Sequence, residues 1–205
     1  MKIIAHGIKN ALDAKKALKA GVDFLEIDVS KRLIFNKFTI QHNGLMGIFG
    51  IGPILDKILT AEIKTRAFLD LKPVSFRNSF SHKLANLLIK LKVKDAKICG
   101  HSWQLISTLC EKTNSKPFYT IKNKEAVYKL KKMLKDLRPP AGFSVKYDLI
   151  DKKFIKEFRK KSVQIWAWTV NDLEEAKRLA ILGVDGIITD EWRLLRSLPA
   201  SNLKP

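Results

Sequence analysis

Two carboxylates stand two positions apart in a stretch that predicts a β-strand. Glu26 and Asp28 lie in the mostly apolar segment 23–29, and side chains at positions i and i+2 of a strand point to the same face. Neighbouring carboxylates repel each other unless a cation lies between them, so this pair suits a hard divalent ion such as Mg²⁺ or Ca²⁺. A buried acidic pair neutralised by Lys72 and other lysines is the alternative interpretation.

The same spacing recurs further along the chain. Asp70 and Lys72 are two positions apart at the end of the predicted strand 66–71. Asp70 can complete a three-carboxylate cation site with Glu26 and Asp28, and Lys72 can hold a phosphate oxygen.

Two histidines end other predicted extended segments. His6 follows segment 2–5, and His42 follows segment 38–41. Histidine is the side chain best suited to proton transfer near neutral pH, so this pair can act as base and acid on opposite sides of a scissile bond. With a cation and a lysine to offset developing negative charge, the set points to phosphodiester cleavage.

Elements that would position these residues alternate between strand and helix along the whole chain. Apolar runs that predict strands alternate with helical stripes, and eight βα units of about 25 residues indicate a closed (β/α)₈ TIM barrel. An open doubly wound sheet is the alternative fold, but the sequence has no glycine-rich dinucleotide or Walker motif. We therefore predict one barrel domain over residues 1–205, with an insertion at about 43–60 after the second strand. The predicted strands lie at 2–5, 23–29, 66–71, 96–99, 116–120, 142–145, 163–168 and 186–189.

The active site of such a barrel lies at the carboxyl ends of its strands. Lys146 and Trp168 occupy strand ends in the second half of the chain, so both are candidate substrate contacts. The next helix is predicted over 171–182, with Asn171 and Glu174 spaced as in a capping box.

The composition adds a strong positive charge. The 205 residues include 39 Lys and Arg against 20 Asp and Glu, a formal net charge of +19, and segment 112–161 is especially basic. Such a surface favours anionic partners, namely a phosphorylated small molecule, an anionic membrane face or nucleic acid. A lysine-rich solvated surface is the favoured explanation of the charge. No zinc finger, RNP-type motif or clear helix-turn-helix supports nucleic-acid binding.

Other features bear on the location of the protein. Two cysteines, Cys99 and Cys110, exclude a disulfide framework, and no apolar run reaches the length of a membrane span. Met1 and Lys2 lead directly into the first predicted strand, without the pattern of a signal peptide. We therefore expect a cytoplasmic protein, at most peripheral to a membrane.

In their order and spacing, several segments resemble the glycerophosphodiester phosphodiesterase family, which has a (β/α)₈ barrel. The resemblance spans the chain, and its residues and segments are 4–7 (Ile-Ala-His-Gly), Asn10, 21–29 (Gly-Val-Asp-Phe-Leu-Glu-Ile-Asp-Val), 42–43 (His-Asn), 69–72 (Leu-Asp-Leu-Lys), 168–171 (Trp-Thr-Val-Asn) and 183–190 (Gly-Val-Asp-Gly-Ile-Ile-Thr-Asp).

The resemblance implies a role for each candidate. The catalytic acid and base would be His6 and His42, and Lys72 would bind the substrate phosphate. A divalent ion, Mg²⁺ or Ca²⁺, would be held by Glu26, Asp28 and Asp70. The implied reaction is attack by the neighbouring glycerol hydroxyl to form a cyclic phosphate, followed by hydrolysis to glycerol 3-phosphate and an alcohol.

Three departures from the family pattern concern the site. Gly7 follows His6 where the family has an arginine that helps to bind phosphate, and Lys9 or Lys146 could replace it only as a point charge. Asp70 stands in place of a glutamate, and Asn43 in place of an aspartate. The alternative function is therefore a catalytically weakened barrel that binds phosphorylated ligands or anionic surfaces.

The segment between the second and third barrel strands, 44–58, is short and apolar. It includes Phe49 and Ile51 close to His42. One interpretation is an ordinary loop and short helix packed on the barrel. The other is contact with the acyl chain of a lysophospholipid, since exposed apolar patches mark binding surfaces.

Overall fold

The computed structural model describes residues 1–31, 37–42, 49, 51–72, 79–134, 139–159 and 163–197. Nine strands and nine α-helices occur in these ranges, and from β4 onward strands and α-helices alternate. The strands are β1 (Lys2–Ala5), β2 (Phe24–Lys31), β3 (Phe38–Ile40), β4 (Ala67–Leu71), β5 (Lys97–Gly100), β6 (Lys116–Ile121), β7 (Gly142–Lys146), β8 (Gln164–Trp168) and β9 (Gly186–Thr189).

Helices follow most strands and cover the outside of the sheet. A 3₁₀ turn at Tyr147–Leu149 directly follows β7. The helices are α1 (Ala11–Lys19), α2 (Leu55–Ile58), α3 (Ala61–Lys64), α4 (Ser79–Lys90), α5 (Trp103–Thr113), α6 (Lys124–Met133), α7 (Lys152–Phe158), α8 (Leu173–Ile181) and α9 (Trp192–Ser197).

Eight of the strands close into a parallel barrel. The hydrogen-bonded order runs β1, β9, β8, β7, β6, β5, β4, β2, and pairing of β1 with β2 closes the ring. Within the described ranges, β3 is the one antiparallel strand. It pairs with the carboxyl-terminal part of β2, where Val29 lies opposite Ile40. The predicted (β/α)₈ TIM barrel is thus confirmed.

Alternation along each strand divides the core into two layers. On β2, Leu25, Ile27 and Val29 belong to the larger cluster between strands and helices. A smaller cluster fills the barrel interior, and its buried members come from six different strands: Ile4, Phe68, Cys99, Phe118, Trp166 and Ile188.

Two glycines make room for the aromatic residues of this interior. A Cβ on Gly142 would lie 2.4 Å from the Phe118 ring, and one on Gly186 would lie 2.9 Å from the Trp166 ring. Real Cβ atoms essentially never approach so closely, so a larger residue at either position would have to displace the aromatic ring. The aromatic residues fill the lower barrel and leave the polar side chains above them at the carboxyl ends of the strands.

Helix boundaries follow local capping. Asn10 accepts a hydrogen bond from the Asp13 backbone N–H at 2.9 Å and begins α1. The last helical turn of α8 is followed by Gly183 with a φ of +82°, a left-handed conformation that favours glycine. None of the helices in the described ranges has both the length and the apolar character needed to cross a bilayer.

Candidate active site

Six side chains predicted from the sequence converge at the carboxyl end of the barrel. They line two adjoining pockets of about 360 and 380 Å³, which share the two histidine side chains. The six are His6, Glu26, Asp28, His42, Asp70 and Lys72. The barrel thus brings together residues that are up to 66 positions apart.

The three carboxylates form one cluster on the β2–β4 side of this mouth. One oxygen from each of Glu26, Asp28 and Asp70 lies within 4.8 Å of the others. Asp28 and Asp70 are directly paired in the register of β2 and β4, and Glu26 and Asp28 are only 3% and 2% exposed. This oxygen-rich, converging donor set is suited to a hard divalent cation.

The ionised form of Glu26 is destabilised by its surroundings. Its burial, together with the negative charges of Asp28 and Asp70, raises the pKa of its carboxyl well above the ordinary value of 4.5. The Gly7 backbone N–H donates a 2.8 Å hydrogen bond to Glu26 Oε2, which offsets only part of that cost. A bound cation would offset the rest, so the cluster fits a metal better than it fits an empty acidic pair.

Lys72 brings a positive charge to the carboxylate cluster. Its Nζ lies 2.8 Å from Asp28 Oδ1 and also pairs with Asp70. Burial alone would lower the pKa of Lys72, but Asp70, Asp28 and Glu26 outweigh burial and raise it. For Asp28, an acid, burial acts in the opposite direction and favours a higher pKa. Lys72 and the other neighbours nevertheless hold that pKa below its usual value. The acidic pair bridged to Lys72, which was the alternative from the sequence, therefore coexists with the cation-site geometry.

Each histidine is oriented by a carboxylate. His6 Nδ1 lies 2.7 Å from Asp190 Oδ1, and His42 Nδ1 lies 2.9 Å from Asp28 Oδ2. The two rings meet edge to face with their centroids 6.1 Å apart. An Nδ1–H donated to a carboxylate puts the lone pair on Nε2, so both rings are arranged for proton transfer through Nε2.

Asp190 is a site residue that the sequence reasoning left out of its candidates. Its second oxygen accepts a 2.7 Å hydrogen bond from the Asn171 side-chain amide, and Asn171 Oδ1 accepts from the Asp190 backbone N–H. Burial alone would raise the pKa of Asp190, but the hydrogen bonds to His6 and Asn171 lower it. The signal that could have found it is its place at the carboxyl end of β9, where an acid is available to the barrel mouth.

The opposite wall of the mouth is neutral apart from one histidine, His101, whose pKa is lowered by burial. The second pocket is lined there by Cys99, His101, Thr120, Ser144 and Trp168. Trp168, a predicted substrate contact, therefore lines this pocket, whereas Thr120 and Ser144 were not among the predicted substrate contacts. Cys99 donates its S–H to Asp70 Oδ1 at 3.3 Å.

The candidates for replacing the arginine of the family differ in position. Lys9 lines the first pocket together with His6 and Gly7. Lys146 is absent from the linings of both pockets and forms an ion pair with Asp148 at 2.6 Å. Asn43, which replaces the aspartate of the family, lies outside the described residues.

Similar solved structures share this barrel. A glycerophosphodiester phosphodiesterase from Thermotoga maritima superposes with a TM-score of 0.72 at 19% identity, covering 97% of this chain and 99% of that one. An Oleispira antarctica phosphodiesterase, solved in complex with the product sn-glycerol-3-phosphate, gives 0.72 at 13% identity and covers 96% of each chain. At these identities the likeness establishes the fold.

Sequence comparison adds the family. A glycerophosphodiester phosphodiesterase of Arabidopsis thaliana is 33% identical over 54 residues, which are 26% of this chain and only 16% of the plant protein. The model of the glycerophosphoryl diester phosphodiesterase family matches residues 73–194, more than half of the chain. This chain therefore belongs to the glycerophosphoryl diester phosphodiesterase family.

Proposed function

We propose that this protein hydrolyses glycerophosphodiesters to glycerol 3-phosphate and an alcohol. The observation that carries the proposal is the convergence of three carboxylates, a lysine and two carboxylate-bound histidines in one barrel mouth. Family membership supports the same reaction. Each of these groups alone is common in proteins, but together they supply cation binding, phosphate binding and proton transfer.

The carboxylates Glu26, Asp28 and Asp70 would hold a divalent cation, Mg²⁺ or Ca²⁺. When bound, it would stabilise the negative charge that develops on the phosphoryl oxygens. Lys72 contributes a second positive charge from the protein itself, since its Nζ lies beside Asp28 and Asp70. Lys9, on the wall of the first pocket, supplies a third without the paired hydrogen bonds of an arginine.

Proton transfer is assigned to His6 and His42. In the first step one imidazole accepts the proton of the neighbouring glycerol hydroxyl as its oxygen bonds to phosphorus, and the other protonates the departing alkoxide. In the second step water opens the resulting cyclic phosphate, and the two rings exchange roles. The rings lie side by side with their centroids 6.1 Å apart, so both can reach a single phosphoryl group bound at the mouth.

The substrate range that we propose includes lysophospholipids. The pocket beyond the histidines is lined partly by apolar groups, including Ile8, Ile40 and Pro53. Close to it along the chain, Phe49 and Ile51 are 75% and 50% exposed, which is a high exposure for large apolar side chains and suits contact with an acyl chain at an anionic membrane surface.

Hydrolysis of glycerophosphocholine tests the proposal. The variants His6→Ala and His42→Ala should each lower kcat by about 10²-fold or more, the usual contribution of a general acid or base. His82→Ala is the matched control because His82 lies on α4, away from both pockets, and it should keep wild-type turnover.

The same assay separates the alternative function. A wild-type protein that binds glycerol 3-phosphate in a titration calorimeter but turns over no diester, with Mg²⁺ or Ca²⁺ present, would be the weakened, ligand-binding barrel. Equal turnover by wild type and both active-site variants would instead remove the histidines from the mechanism.

A further inference from the structure

The neutral wall of the mouth contains polar atoms that the protein leaves without partners. Thr120 is 7% exposed, and its Oγ1 has no hydrogen-bond partner in the described part of the chain. The indole Nε1 of Trp168 is also buried without a partner there. Both residues line the same pocket as Lys72 and Asp70.

Strand geometry explains why these groups face the pocket. Thr120 is two positions after Phe118 on β6, and Phe118 belongs to the barrel interior, so Thr120 points into the barrel one layer higher. Ser144 is paired with Thr120 in the register of β6 and β7 and is 3% exposed. The wall therefore presents two hydroxyls on adjacent strands, with the indole N–H on the next strand, β8.

An unpartnered buried polar atom destabilises the folded protein. Leaving a buried hydroxyl or N–H without a hydrogen bond is unfavourable compared with an apolar group of the same shape, so valine would suit position 120 better if packing alone decided. Thr120 and Trp168 thus bear a stability cost at the edge of a pocket, which is the expected condition of groups that bind a ligand.

We propose that Thr120 and Trp168, with Ser144 beside them, bind a hydroxyl group on the carbon skeleton next to the substrate phosphate. The inference rests on the proposed function and adds the residues that select a polyol. The wall has no acidic or lysine side chain, and burial lowers the pKa of its one histidine, His101, whereas the phosphate has Lys72 on the other side of the mouth. A hydroxyl accepts from the indole N–H and exchanges a hydrogen bond with Thr120, so it satisfies both atoms at once.

Binding of the product without turnover is the direct test. In titration calorimetry with sn-glycerol 3-phosphate and inorganic phosphate, Thr120→Val should raise the Kd of sn-glycerol 3-phosphate about three- to tenfold, the usual effect of one lost hydrogen bond. The Kd of inorganic phosphate should not change. Thr120→Ser keeps the hydroxyl and should retain wild-type affinity, and Trp168→Phe should weaken only sn-glycerol 3-phosphate.

Thermal unfolding provides a readout that does not depend on the ligand. Thr120→Val should melt at the wild-type temperature or above it, because it removes an unpartnered hydroxyl without changing the shape of the side chain. A lower melting temperature with no change in the affinity for sn-glycerol 3-phosphate or in the KM of any diester would mean that the hydroxyl serves the fold, and it would overturn the proposal.

The phosphate of a diester lies between the glycerol and the alcohol that is released, and the wall could bind a hydroxyl of either one. A second measurement, of diester hydrolysis, separates the two. If Thr120→Val leaves sn-glycerol 3-phosphate binding intact but raises KM for glycerophosphoglycerol and not for glycerophosphocholine, the wall binds the released polyol. No change in either arm refutes hydroxyl binding. If the wild type hydrolyses no diester, the proposed function is refuted. The calorimetric measurements would still decide whether this wall binds a hydroxyl group.

Discussion

Asp190 Oδ1 lies 2.7 Å from His6 Nδ1, and Asp190 Oδ2 accepts a 2.7 Å hydrogen bond from Asn171. The Thr189 hydroxyl in turn donates to Asn171 Oδ1 at 3.1 Å. The Asp190 carboxylate is therefore held on one side by the residue that follows β1 and on the other by the loop after β8. This chain of hydrogen bonds fixes the ring of His6 and selects the tautomer with its proton on Nδ1. Asp190 is therefore a positioning residue for His6.

Replacing Asp190 by asparagine should lower kcat more than it raises KM. The amide keeps the shape of the side chain but changes the carboxylate oxygen that faces His6 Nδ1 and orients the ring, and we expect a loss of about tenfold or more, as for other partners that orient a histidine. The measurement is steady-state hydrolysis of glycerophosphocholine. Asp172→Asn is the matched control, because Asp172 caps α8 and asparagine caps helices equally well. A KM effect with unchanged kcat would place Asp190 in ground-state binding instead.

The role of Asn171 shows where reading the sequence reached its limit. The spacing of Asn171 and Glu174 predicted a capping box, but the cap of α8 is Asp172, which accepts from the Glu175 backbone N–H. Capping residues are recognised from local spacing, and a one-residue shift satisfies the pattern equally well. The Asn171 amide instead donates a hydrogen bond to Asp190, 19 positions away. Only the closed barrel brings those two strand ends together.

Other parts of the fold were predictable because they depend on local patterns. The alternation of apolar runs and helical stripes gave the barrel, and the i, i+2 spacing placed Glu26 with Asp28 on one face. The extended piece at Phe38–Ile40 was also expected, but its antiparallel pairing with β2 was not. Thr120 could not be selected, since a threonine in a strand looks the same whether its hydroxyl is partnered or free.

Removing the charge of Glu26 should stabilise the metal-free protein as the pH rises. Because its pKa is raised in the folded state, folding is most favoured where Glu26 is protonated in both states, and that contribution disappears as the pH rises above about 4.5. In chelator, the melting temperature of the wild type should therefore fall relative to Glu26→Gln between pH 5 and 8. A difference of 1 kcal/mol corresponds to roughly 2–4 °C for a chain of this size.

Metal addition completes this test. Mg²⁺ or Ca²⁺ should raise the melting temperature of the wild type, since a ligand that binds only the folded state stabilises it, and should raise that of Glu26→Gln much less. Glu62→Gln serves as control because Glu62 is exposed on α3. Parallel pH curves for wild type and Glu26→Gln, with equal responses to metal, would contradict the assignment of Glu26 to a cation site.

Lys9 should contribute to phosphate binding as a point charge. Lys9→Gln is expected to raise KM for phosphodiesters by a few-fold while leaving kcat almost unchanged, because an exposed charge acts mainly through a screened attraction. The effect should shrink in high salt. Lys15→Gln removes an equal charge from an exposed position on α1 that lines neither pocket. Equal changes in the two variants would mean that Lys9 acts only through overall charge.

Substrate preference should depend on the exposed apolar side chains near the first pocket. The double variant Phe49→Ser, Ile51→Ser should lose about tenfold in kcat/KM for a lysophospholipid and little for glycerophosphocholine. Contact with an acyl chain contributes ~25 cal/mol per Å² of buried apolar area, and glycerophosphocholine has no chain to bury. The comparison is made below the critical micelle concentration, so that the lipid is presented as a monomer.

A matched double variant separates contact from general surface hydrophobicity. Ile89→Ser, Ile181→Ser removes side chains that are 56% and 72% exposed on helices α4 and α8, and it should leave both substrates unaffected. Equal losses on both substrates for the Phe49 and Ile51 variant would show that the segment supports His42 rather than an acyl chain. Unchanged turnover of the lysophospholipid would remove this segment from substrate binding, because no other change in the variant could compensate for the lost apolar area.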